Sequence, residues 1–234
     1  MPNSKNITTL EHYDTVFLLD DSNRMLNELA DAKAAVTTLA AEVKSNTFKG
    51  GEPSLRFFNS EMVVSNVGNV EPNILARLYS ENTLDGAAYL GQALKKVLDN
   101  YFNTLHEALK ESATRFDSVK GLNVIVISNG NFADKPSKIV NTILPTIQQL
   151  KRFTRPSLES LERHIGIQLV QLGDDKMGAD AMRKLDEETK LNDSEDIFDT
   201  TQWDSDPNVK WDSKSAKATL RKILLGALAE RLDD

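Results

Sequence analysis

Three short polar words interrupt the apolar stretches of this 234-residue chain: Asp20-Asp21-Ser22-Asn23-Arg24, Asn129-Gly130-Asn131 and Gly173-Asp174-Asp175. Each stands directly behind a run that reads as a β-strand. Carboxylates, amides and a hydroxyl gathered there mark the first place to look for a ligand site, since open α/β sheets place theirs in the loops at the carboxyl ends of the strands. The same groups would offer charge and hydrogen bonds to a protein partner. Nucleophilic catalysis is not prefigured. Ser22 has no histidine or lysine close in sequence to activate it, and Ser128-Asn129-Gly130 lacks the Gly-x-Ser-x-Gly of a nucleophile elbow. His12, His106 and His164 stand far apart, which disfavours a histidine-built zinc site. The absence of cysteine removes disulfides, thiolate metal sites and cysteine nucleophiles. No phosphate-cradling glycine loop or dinucleotide fingerprint follows any strand. With no catalytic set in these residues, a small-molecule enzyme is the least favoured reading and a non-enzymatic protein is expected.

The elements that must position them alternate in type. Val16-Phe17-Leu18-Leu19 is apolar enough for a strand buried on both faces. A helix follows from Met25, with Leu26, Leu29, Ala30, Ala34, Val36, Leu39 and Ala40 on one face. Ser54–Asn59 and Met62–Val67 read as two strands joined too closely for a parallel crossover, so they should pair antiparallel at the sheet edge. A short helix is expected from Glu71-Pro72 to Leu78. The loop around Gly86 enters a long helix whose core stripe is Leu90, Leu94, Val97, Leu98, Tyr101, Leu105 and Leu109. Gly121–Ser128 reads as a central strand, followed by a helix near Pro136–Leu150 and a loop or short helix at Arg155–Leu161. Ile165–Leu172 is the next strand, Met177–Lys190 a helix and Asp196–Thr200 a weak last strand. Trp203 and Trp211 read as core plugs in a late loop, and Ser213 as the cap of a final helix with Leu220, Ile223, Leu224, Ala227 and Leu228 on its apolar face. The expected fold is α/β: a doubly wound, mostly parallel six-stranded sheet with one antiparallel edge strand and helices on both faces, Rossmann-like in layout. Residues 1–12 read as a lead-in and 13–234 as a single domain. In such sheets ligands bind at the carboxyl ends of the strands, where all three polar words fall.

The bulk composition narrows the partners. The formal net charge is −7 and the basic residues are scattered, so nucleic acid is disfavoured. No apolar run reaches the roughly 18 residues of a membrane span. The first residues carry no apolar core behind them, so no signal peptide is read and a cytoplasmic, intracellular location is expected.

In order and spacing these blocks resemble the von Willebrand factor A (vWA) domain, in particular the free-standing intracellular form common in fungi. Tyr13–Asp21 resembles the family's first strand and its Asp-x-Ser-x-Ser turn, and Phe57-Phe58-Asn59 its second strand. Gly86–Leu98 resembles the Gly-x-Thr-Pro-Thr-Gly-x-x-Leu loop and helix, and Asn123–Gly130 resembles Val-Ile-Val-Ile-Thr-Asp-Gly. Gly166–Asp174, Leu185–Asp186, Asp196–Thr200 and Ile223–Leu232 resemble the later blocks. The resemblance implies a non-enzymatic protein-interaction module. It also implies a metal-ion-dependent adhesion site, built from an Asp and two Ser on the first loop, a Thr on the second and an Asp on the third. Asp20 and Ser22 keep the first two positions; the other three fall on Arg24, Ala88 and Asn129. (Thr83 is a rival for the threonine, but it would leave the helix too long.) The site is therefore expected to be degenerate, with no cofactor favoured. Residual Mg2+ binding at Asp20, Ser22 and Asn129, helped by Asp21 or Asp134, is the alternative. Two roles for Arg24 stand open: a bidentate partner of Asp20 that replaces the cation's charge, or a solvated arginine on the helix's first turn. The surface expected to meet a protein partner holds Asp20, Asp21, Ser22, Asn23, Arg24, Ala88, Asn129, Asn131 and Asp174. Two readings of Asp20-Asp21 and Asp174-Asp175 stand open: an acidic rim that attracts a basic partner, or solvated loop carboxylates. Partner identity and oligomeric state do not follow from the sequence.

Overall fold

The computed structural model describes residues 8–65, 67, 84, 86–150, 152–153, 164–191, 197–204 and 214–229. Five strands share one sheet: β1 (Tyr13–Leu19), β2 (Ser54–Phe57), β3 (Gly121–Ser128), β4 (Ile165–Gln171) and β5 (Phe198–Gln202). Their order is β2-β1-β3-β4-β5 and every pairing is parallel. The helices are α1 (Leu29–Val43), α2 (Leu90–Glu111), α3 (Ala113–Ser118), α4 (Pro136–Leu150), α5 (Lys176–Leu191) and α6 (Lys214–Leu225). A 3-10 turn, Asn23–Glu28, precedes α1, and another, Gly226–Leu228, follows α6.

Burial explains why these strands lie in the middle. All eight residues of β3 are buried, as are all seven of β4. Alternate side chains feed two apolar layers. Leu18, Val124, Val126 and Leu169 meet Leu94 and Leu98 of α2, Ile139 and Ile143 of α4, and Met182 and Leu185 of α5. Phe17, Leu19, Ile125 and Ile127 meet Val36 and Leu39 of α1 and Leu220 and Leu224 of α6. Each fully buried side chain of this size stabilises the fold by roughly 1.5–3 kcal/mol, before conformational entropy is set against it.

The chain leaves β1 on one side to make β2, then crosses to the other side of β1 to make β3. The winding direction therefore reverses between β1 and β3, and a crevice opens above their carboxyl ends. Both of the first two polar words sit at that crevice.

The structure departs from the sequence reading in particular places. The expected antiparallel edge strand shrinks, among the described residues, to one bridge in which Leu55 and Val64 exchange backbone bonds of 2.8 and 2.9 Å. Met62 and Val63, each 48% exposed, give that segment no buried face to hold a longer strand. The apolar face of α1 is rotated from the expected one: Ala32, Ala35 and Val43 are buried, whereas Leu26, Ala30 and Ala34 are exposed. The 3-10 turn winds Met25 inward and Leu26 outward before the α-helix starts. On α2 the stripe ends at Ala108, and Leu109 is exposed. α3 was not expected; Ser112 caps it by accepting from the Arg115 N–H at 3.0 Å. β5 begins two residues later than the weak strand read there. Trp203 is a buried plug, as expected. The expected helix at 71–78, the expected loop or short helix at 155–161, Thr83, Trp211 and the Ser213 cap lie outside the described residues.

Candidate functional site

Asp20 and Ser22 emerge from β1 into the crevice, and both are fully buried. The Asp20 N–H continues the sheet by donating to Ile127 O at 3.0 Å. One Asp20 carboxylate oxygen accepts the Ser22 N–H at 2.9 Å, and the other accepts the Ser128 hydroxyl at 2.7 Å. Ser128 Oγ in turn accepts the Gly130 N–H at 3.0 Å. Burial pushes the Asp20 carboxyl above the ordinary carboxylate range. The Ser128 hydroxyl and then Ser22, through its N–H and the nearness of its side chain, pull it back, while the Asp21 charge adds to the rise. Ser22 Oγ itself is buried without a hydrogen bond of its own.

Arg24 does not pair with Asp20; it stays exposed on the first turn and bonds to a neighbouring loop. Its guanidinium does not reach Asp20; it crosses the crevice and donates to Asn131 Oδ1 at 2.5 Å and Asn131 O at 2.6 Å. The reason is local: the 3-10 turn carries residue 24 to the exposed side, while Asp20 stays beneath it among serines. Asn129 closes the same network. Its Nδ2 donates to Arg24 O at 2.8 Å, its Oδ1 accepts the Asn131 N–H at 3.0 Å, and its own N–H points to Met25 Sδ at 3.3 Å. Thus Asp20, Ser22, Arg24, Asn129 and Asn131 are brought together, with Asn23 exposed beside them.

The remaining expected residues serve other contacts. Asp21 is buried and faces the loop after β2: one oxygen accepts the Asn59 N–H at 2.8 Å, the other the Ser60 N–H at 3.0 Å. Ala88 is buried at the entry to α2, where its carbonyl accepts the Ala133 N–H at 2.9 Å. Asp134 pairs with Lys138 at 2.9 Å and accepts the Gly91 N–H at 3.3 Å. Asp174 is exposed on the loop after β4. That loop closes on the 3-10 turn at Glu28, whose carboxyl is raised first by burial and then by Asp31, Asp174 and Asp175.

Glycine lets these loops approach. Gly130 has φ +81°, and a Cβ there would also stand 2.6 Å from Gly178 O. On α5, a Cβ at Gly178 would stand 2.0 Å from Asn129 O. The loop after β3 therefore rests on α5 with bare backbone between them.

Two site members were missed in the sequence. Ser128 carries the hydroxyl that satisfies Asp20; its signal was a polar residue closing an otherwise apolar strand. Glu28 carries the acidic rim into the 3-10 turn, and no local spacing singled it out.

Asp20 has both carboxylate oxygens engaged, Ser22 offers one hydroxyl, the Arg24 guanidinium is bound to Asn131, Ala88 presents a methyl group, and the Asn129 amide is bonded to Arg24 and Asn131. Mg2+ demands near-octahedral oxygens. Among the described residues no group of three or more His, Cys, Asp or Glu side chains is placed to hold a metal. None of the described helices is long and apolar enough to cross a membrane.

No protein-family model matches the sequence, and no curated protein is significantly similar to it. Among solved structures, the manganese-loaded TRAP protein of Plasmodium vivax is similar with a TM-score of 0.47 and 12% identity, over 85% of this chain and 72% of that one. A likeness of that depth bears on neither ligand nor partner.

Proposed function

We propose that residues 13–234 form one vWA-like domain of the intracellular fungal type, a non-enzymatic module that binds a protein through the carboxyl-edge loops without a bridging cation. The observation that carries this reading is the make-up of the crown. Leu26 and Met177 are 64% and 79% exposed. They flank Glu28, Asp174 and Asp175, none of which is paired with a cation among the described residues. Apolar anchors with a charged rim are the anatomy of a protein interface. A partner presenting basic groups around an apolar one fits it, and the strand order and cysteine-free composition agree with the family and location proposed. Capture of a partner from the source cells should be indifferent to chelator and lost when Leu26 and Met177 are both changed to Glu with the melting temperature kept. Capture that needs a divalent cation would overturn the reading.

A second reading rests on Ser22 Oγ, which lies buried and unbonded beside the one carboxylate the family's ligand set retains. A cation there would raise the melting temperature in millimolar Mg2+ or Mn2+ and chelator would lower it, because a ligand of the native state stabilises by mass action. The proposed function expects no shift. Arg24→Ser, Ala88→Thr and Asn129→Asp together should create Mg2+ binding measurable by calorimetry; no gain would count against the family correspondence.

A further inference from the structure

Arg56 lies in β2 opposite Leu18 of β1, so its side chain stands on the sheet face that α2 covers. It lines a cavity of about 290 Å³ between the sheet edge and α2. Its Nε is buried without a hydrogen-bond partner, and among the described residues the guanidinium makes no ion pair. The cavity's other charges are matched. Glu61 holds Lys96 at 2.6 Å; Asp99 holds Lys95 at 2.5 Å and accepts the Thr146 hydroxyl at 2.8 Å. Of the four charged side chains that line it, Arg56, Glu61, Lys96 and Asp99, only Arg56 has no ion pair among the described residues.

Arg56 is half-buried as a whole, and a buried donor left unmet is unfavourable, more so in a charged group. A planar guanidinium is best met by a carboxylate in a two-pronged contact. The floor of the cavity is aliphatic, with Leu18, Ala93 and Val97 buried, whereas Ser60, Glu61, Lys96, Asp99 and Asn100 make much of the rest of the wall polar. The volume lies at the small end of ligand pockets, which run from about 300 Å³ upward. One unpaired guanidinium above an aliphatic floor, with the Glu61 and Asp99 carboxylates near, suits a singly charged anion with a hydrocarbon tail better than a phosphate dianion. We propose that this cavity binds a small aliphatic monocarboxylate, its carboxylate forked onto Arg56 and its tail against Leu18, Ala93 and Val97. The site lies on the flank of the sheet, and it meets the carboxyl-edge loops at Ser60, whose N–H donates to Asp21.

The test is a titration of the whole chain, followed by amide NMR shifts, with hexanoate, hexan-1-ol and inorganic phosphate as probes. Hexanoate should shift the amides of Phe57, Ala93 and Val97 saturably. Hexan-1-ol and phosphate should bind about tenfold more weakly or worse, as the loss of a charged hydrogen bond implies. Arg56→Gln should lose hexanoate to the same extent and Arg56→Lys should recover part of it. Ala93→Leu, which narrows the cavity with the guanidinium intact, should also lose it, and carries the test if Arg56→Gln does not fold. Equal binding of hexanoate and hexan-1-ol, tighter binding of phosphate, or unchanged hexanoate binding in Arg56→Gln or Ala93→Leu would overturn the proposal.

Discussion

Asp20 is a buried carboxylate met by two neutral donors and no described cation, and that sets how the protein answers to pH. Its carboxyl is raised from 3.8, so the folded state holds the proton more firmly than the unfolded chain does. The stability this group contributes is full below the ordinary carboxylate range and is lost as pH climbs through the raised value. Asp20→Asn should therefore melt above the parent near pH 7, with the gap narrowing towards about pH 4. A gap that widens on acidification would mean that Asp20 is held ionised. Arg24 gives a second test. Removing its bonds to Asn131 by Arg24→Ala should cost about 0.5–1.5 kcal/mol in chemical denaturation. A loss of about 3–5 kcal/mol would signal a buried ion pair with Asp20 instead. Asp20 and Ser22 were legible because an apolar strand stops abruptly at them. The direction of Arg24 was not, because its partner stands 107 residues away. The part played by Ser128 was equally hidden, since a terminal serine says nothing about which carboxylate lies across the sheet.

Among elements, the contact between α5 and the loop after β3 is the least forgiving. Gly178→Ala would drive a methyl group into Asn129 O, and overpacking of this kind typically costs about 1–3 kcal/mol. Thermal or chemical denaturation reads that directly, and the network from Asn129 to Arg24 should loosen with it. Nothing in the sequence marked Gly178, because a glycine inside a helix reads only as a weak helix former. The strands were plain where their residues are buried on both faces, as in Val124–Ile127. The faces of the helices were plain where leucine and isoleucine carry them, as on α2 and α6. They were not on α1, where alanines stand on every side and the 3-10 turn sets the phase. Of the edge strand read at Met62–Val67, the described residues show one antiparallel bridge at Val64, with Met62 and Val63 exposed, something that alternation of residue types does not reveal.

At the level of the whole chain, the alternation of strand and helix carried the layout, and the reversal of winding between β1 and β3 put the site where such sheets keep theirs. The same layout governs how the molecule assembles. β1 and β3 lie side by side, yet the bond from Ser128 to Asp20 joins residues 108 apart. No strand of the sheet can find its parallel neighbour without first closing a long loop, and that delay makes folding slow. Until the loop closes, Val124–Ile127 is a greasy ribbon with both sides bare, open to copies of itself. Refolding from denaturant should thus be limited by crowding with other copies, and dilution, rather than longer waiting, should decide how much native protein is recovered.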